Sequence, residues 1–135
     1  MKLKDLPGDH FMSAAVAGQA TAGTADEFTI GRVPFRAVVT GVWLIPTAAV
    51  TGAATNHFTA RVRNRVSGAG NVEVAAKAFD NGVNAPAFED TTITLSATAA
   101  NLDLAEGDVL TLEKIIVGTG MAMPDGHVVV AIKAR

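Results

Sequence analysis

From Phe58 onward the side chains alternate: Phe58, Ala60, Val62 and Val66 fall on one face, and Thr59, Arg61, Arg63 and Arg65 on the other. That alternation belongs to an extended strand with one covered and one open face, and it does not fit the turn of a helix. Asn64 is the single polar residue on the apolar side. No other segment carries a sustained helical stripe, while β-branched runs recur between Gly, Asn, Asp and Pro turn signals. These runs predict strands over Phe11 to Val16, Glu27 to Ile30, Arg36 to Ile45, His57 to Val66, Val72 to Phe79, Thr91 to Leu95, Val109 to Val117 and His127 to Lys133. About eight short strands separated by turns predict an all-β domain, an antiparallel β-sandwich of jelly-roll-like arrangement.

The strands around residues 57 and 72 read as a hairpin. Setting Val66 against Val72 places Val62 opposite Ala76 and Ala60 opposite Ala78, with residues 67–71 as the loop. The same register sets Arg65 against Glu73 and Arg61 against Lys77, which leaves the outer face with a positive excess. It requires both strands to share a sheet. Arg61, Arg63 and Arg65 are the candidate partner-contact residues, and the alternative is that they form the plain solvent face of an antiparallel strand. An inward Val62 predicts that Val62→Asp destabilises by several kcal/mol, whereas Arg63→Ser should cost roughly 0.5 kcal/mol or less.

Three strands are apolar on both sides. Arg36 to Ile45 carries Val39, Trp43 and Ile45 on one side and Val38, Val42 and Leu44 on the other; Ile115 to Val117 and Val128 to Ile132 behave alike. In a two-layer sandwich such strands need a second covering, from loops or from another subunit. At 135 residues the chain fits one domain. Yet 25 residues are alanine, which bury little area each, so part of the stabilisation is expected from oligomerisation. The core domain is assigned to residues 28–135. Residues 1–27, where Ala14 to Ala25 is nearly all Ala, Gly, Thr and Gln, are assigned to an amino-terminal arm or flexible segment.

The chemistry-bearing residues point away from catalysis. A net charge of −2 gives no basis for a nucleic-acid partner, and zero cysteines exclude disulfides and thiolate metal sites. The start of the chain, with Asp5, Pro7, Gly8 and Asp9, lacks the apolar core of a secretory signal. No apolar run approaches the roughly 20 residues of a membrane-spanning helix. His10, His57 and His127 lack metal-ligand spacing, and Ser13, Ser67 and Ser96 lack a nucleophile motif. Asp103, Glu106, Asp108 and Glu113 read as a solvated turn before a strand rather than a Ca²⁺ loop. Gly118-Thr119-Gly120 and Asp80-Asn81-Gly82 read as turns. A sugar site would need exposed aromatic platforms, and Trp43, the single tryptophan, sits in an apolar strand and reads as core. No cofactor and no metal are expected.

The segment Asn101-Leu102-Asp103-Leu104-Ala105-Glu106-Gly107-Asp108-Val109-Leu110, with Gly118-Thr119-Gly120 and Pro124-Asp125-Gly126-His127-Val128, resembles the carboxy-terminal half of small β-sandwich virion proteins of tailed bacteriophages. The likeness extends back to Val38-Val39-Thr40-Gly41-Val42-Trp43 and covers about residues 36 to 133. It implies a head decoration, or cement, protein: a jelly-roll-like domain that forms a homo-oligomer, often a trimer, and binds the major capsid protein on the virion surface after synthesis in the host cytoplasm. The resemblance carries no catalytic residue, and residues before 36 fall outside it. A receptor- or glycan-binding module is the alternative, and an enzyme ranks last.

Overall fold

The computed structural model describes residue 2 and residues 5–135. Its strands are β1 (Asp9–Val16), β2 (Asp26–Arg32), β3 (Ala37–Pro46), β4 (His57–Asn64), β5 (Val72–Ala78), β6 (Thr91–Thr92), β7 (Thr94–Leu95), β8 (Asp103–Leu104), β9 (Val109–Val117) and β10 (Gly126–Ala134). They form two antiparallel sheets. The first runs β1-β10-β3-β6, with β8 also on β3; the second runs β2-β9-β4-β5-β7. Each strand lies in the sheet opposite its predecessor, except β5, which folds back on β4. That wrapping is a jelly roll, and the alternating residues of both sheets fill the space between them.

The expected strands are present, but the segment expected as one strand over Thr91 to Leu95 is two. Thr91–Thr92 pairs with β3 and Thr94–Leu95 with β5, with Ile93 fully buried at the crossover and its N–H donating to the Val42 carbonyl at 2.9 Å. β8 is a strand where the sequence read as turn.

Within the core, Phe58, Ala60 and Val62 of β4 are fully buried, as their alternation requires. They meet Val42, Val128 and Val130 of the opposite sheet's inward face, also fully buried. Phe58 also packs on Phe79 with ring centres 5.0 Å apart. Val66 is a correction to the strand pattern. β4 ends at Asn64, and Val66 adopts φ 54° on an exposed turn. Its N–H donates to the Asn64 side-chain oxygen at 2.7 Å, while Asn64 donates from Nδ2 to Asp108 at 2.7 Å. The one polar residue of the inward face therefore closes the strand instead of interrupting it.

Two bulges alter the expected registers. In the β4–β5 hairpin Asn64 pairs with Val72 and Arg63 with Glu73, and after a shift beyond Val62 the pairs are Val62 with Ala75, Arg61 with Ala76 and Ala60 with Lys77. In β3 the register shifts between Gly41 and Val39, leaving Thr40 as the extra residue. Val39, Val42 and Leu44 therefore all point inward and are buried, and Val38, Trp43 and Ile45 take the outer side. Trp43, expected in the core, lies outside it.

The segment 1–27, expected as an arm or flexible stretch, contains β1, which pairs with β10 residue for residue from Asp9 to Val16. Val16 is 3% exposed and belongs to the core. Residues 1, 3 and 4 of that segment lie outside the described residues. The polypeptide between β1 and β2 is pinned from below by Lys114, whose Nζ donates to the carbonyls of Thr21 and Ala22, each at 3.3 Å.

Candidate functional site

The outer faces of the two sheets differ in chemistry. On the second sheet, β4 lies between β5 and β9, so that Arg61 stands opposite Glu113 and Arg63 opposite Thr111. β2 adds Glu27 across from Glu113. Arg61 binds Glu113 from Nε at 2.8 Å, and Arg63 grips Glu27 with two donors at 2.8 and 2.9 Å while its Nη2 also meets Glu113 at 2.7 Å. Asn71 accepts from both guanidiniums at 3.0 and 2.9 Å, and Thr111 donates to Glu27 at 2.6 Å. The hydrogen bonds of Arg63 hold the Glu27 carboxyl down to about 2, against partial desolvation, with help from Thr111. The Arg63 guanidinium is raised in turn, first by its bond to Glu27.

Two of the three arginines singled out from the sequence are thus occupied. Arg61 and Arg63 are matched by two carboxylates and are only 19% and 14% exposed in their side chains. The positive excess expected from pairing with β5 is cancelled by β9 and β2. Arg65 lies beyond β4, where its N–H donates to the Val109 carbonyl and its carbonyl accepts from Gly68 and Gly70. The structure brings Arg61 and Arg63 together and places Arg65 just beyond the strand, where its charge still helps to lower Glu27.

The first sheet is different. On its outer side, register rows place Phe11 beside Ala131 and Gly41, Ser13 beside Val129 and Trp43, and Ala15 beside His127 and Ile45. The row residues are mostly apolar. The Trp43 ring lies along the sheet over Gly41, where any Cβ would collide with it. Phe11 is 67% exposed, and a shallow groove of about 260 Å³ runs between Phe11, Trp43, Ile45, Val129 and Asp90. At one end of β3 stands Phe88, 75% exposed, with φ 59° and its N–H on the Pro46 carbonyl at 2.8 Å. A non-glycine residue in that conformation is strained, and an exposed one gains no burial to offset the strain. Sequence reasoning missed this face because the Thr40 bulge moved Trp43 outward. Its available signal was Phe11, a large aromatic whose neighbours on the same side of the strand are Asp9, Ser13 and Ala15.

The remaining candidates are dispersed. The four carboxylates of 103–113 do not converge: Asp103 pairs with Arg135 at 3.1 Å, Asp108 is buried on Asn64 and the Ala105 N–H, and Glu113 serves the arginines. Asp108 is therefore a buried turn-former and not solvated. Among the described residues no three His, Cys, Asp or Glu side chains are placed to hold a metal. His10 packs edge-on against Phe35 at 5.2 Å, His57 is buried with Nδ1 unpartnered, and His127 is exposed. Gly118, Gly120 and Gly82 adopt positive φ in the turns expected of them. Lys114 is 1% exposed and sits 6.0 Å from the Phe58 ring centre, and burial lowers its pKa below the usual lysine value.

No family model matches the chain, and no curated protein or solved structure matches it. No helix among the described residues is long and apolar enough to cross a membrane.

Proposed function

We propose that this chain is a non-enzymatic structural protein of a tailed-bacteriophage virion, a head decoration protein that associates with itself and docks on the major capsid protein. The observation that carries the reading is the apolar outer face of the first sheet, with Phe11 and Phe88 held out to solvent at its margins. A large aromatic side chain exposed on an apolar face marks a surface that another macromolecule covers. On the opposite outer face Arg61 and Arg63 are taken up by internal pairs, so we assign the docking role to the apolar face and not to those two arginines. The resemblance of residues 36 to 133 to phage cement proteins supplies the capsid as partner and a threefold position as the expected site.

The test is co-sedimentation with undecorated capsids of the phage that encodes the chain. Saturable binding at a fixed ratio to the capsid lattice is expected. Phe88→Asp, at an exposed position, should weaken that binding at least tenfold while leaving the thermal melt in place. Binding that neither saturates nor responds to Phe88 removes the proposal.

A receptor- or glycan-binding module is the second reading, and one observation favours it. The Trp43 ring covers Gly41 and lines a groove with Phe11 and Asp90, an aromatic side chain beside a carboxylate. Binding to host cells or to a glycan array that is abolished by Trp43→Ala, with no capsid binding, would select it.

A further inference from the structure

The sheet edges of this molecule are unequally protected. The far edge of the first sheet is made of the two-residue strands β6 and β8, and the far edge of the second is the two-residue β7. β2, the other long edge, is broken by a register shift between Thr29 and Gly31 and carries Asp26, Glu27 and Arg32. Among the described residues β1 alone is long and regular: eight residues, paired there on one side only, with no register shift from Asp9 to Val16. It holds no Lys and no Pro, and its one charge is at its first residue. Edge strands normally carry such features to prevent pairing with another chain, and an edge without them is a template for a further strand.

We infer that β1 pairs antiparallel with β1 of a second copy of this chain about a two-fold axis through Met12. In that register Asp9 faces Ala15, His10 faces Ala14, Phe11 faces Ser13 and Met12 faces Met12. Every pair joins residues of the same face, as an antiparallel ladder requires. Centring on Phe11 instead would bring Pro7, which has no N–H, and Gly8 at φ 88° into the ladder. Centring on Ser13 would push Asp9 beyond the end of the partner strand. The Met12 register pairs residues 9–15 within β1, leaves only Val16 opposite Gly8, keeps Pro7 out of the ladder and never sets two Asp9 carboxylates together. It also continues the outer apolar face across the axis, so that two grooves containing Phe11 and Trp43 form one surface with Phe11 at the seam. The inference goes beyond the docking role proposed above and does not depend on it.

The register assigns Ala15, an exposed position, as the partner of Asp9. Ala15→Asp opposes two carboxylates twice per interface, and Ala15→Lys creates two opposite-charge pairs instead. The experiment measures particle mass by light scattering and sedimentation for the wild-type chain and both variants, with circular dichroism to confirm that each is folded. The expected results are an even number of chains for wild type, half that mass for Ala15→Asp, and the wild-type mass or tighter association for Ala15→Lys. An odd number of chains, an unchanged mass for Ala15→Asp, or equal disruption by both substitutions overturns it. A threefold particle insensitive to Ala15 would do so while leaving the capsid reading standing.

Discussion

At Arg63 the guanidinium spans Glu27 and Glu113 from two other strands, and its removal leaves two part-buried carboxylates facing each other. Arg63→Ser should therefore cost about 2 kcal/mol, discounted from the larger cost of a fully buried pair because Glu27 is 30% exposed. That exceeds what an outer-face position alone suggests. Val62→Asp should cost more, about 4 kcal/mol or loss of folding, because Val62 is 0% exposed and offers a carboxylate no partner. Urea unfolding of both variants checks the order. Glu27 also sets a pH dependence. Its carboxyl is lowered from 4.5 to about 2 in the fold, so its contribution is fully present above pH 4.5 and is lost as pH falls toward 2. The stability difference between wild type and Glu27→Gln should be about 2 kcal/mol at pH 7 and should shrink steadily below pH 4.5. A difference independent of pH would mean that the ion pair contributes nothing.

Among the elements, β1 changes the meaning of an amino-terminal truncation. A chain beginning at Glu27 loses the strand that covers one side of β10, together with the buried Val16. It should melt at least 10 °C lower and expose β10 as a new apolar edge, whereas deletion of a flexible arm would leave the melt unchanged. The link between β1 and β2 is fastened from the second sheet. Lys114 is an inward residue of β9 with two carbonyls as hydrogen-bond partners, and Asp26 stands opposite it in β2 without forming an ion pair among the described residues. Lys114→Met removes a costly buried charge and also two hydrogen bonds. Global stability should change by no more than about 1 kcal/mol, while amide exchange across residues 17–25 should rise clearly. Unchanged exchange there would show that the lysine does not hold the segment.

For the whole molecule, the asymmetry between its two outer faces organises the functional reading. One is closed by ion pairs made within the chain; the other is apolar, carries Trp43 and Phe11, and borders the long regular edge strand β1. A face and an edge that meet along β1 allow one copy to contact both a sister copy and a larger surface. Far-ultraviolet circular dichroism should show a β spectrum without helical minima, since the described residues contain no α-helix and only short 3-10 structure such as the turn Ala99–Leu102.

The positions of the strands were legible in the sequence because alternation and turn residues are local signals. Phe58, Ala60 and Val62 had to face inward together, and Gly82, Gly118 and Gly120 had to accept positive φ. What lies beside each strand was not local. Arg61 and Arg63 were legible as an outer stripe, but their neutralisation depends on Glu27 and Glu113 arriving from β2 and β9, distant in the chain and adjacent only once the sheet forms. Trp43 reached the outer face because one extra residue at Thr40 inverts the alternation on one side of it, and only pairing with β10 reveals that extra residue. The sequence by itself determined which residues extend and which turn; the tertiary structure decided strand order, bulges and edges, because those are set by backbone pairing between segments that carry no mark of one another.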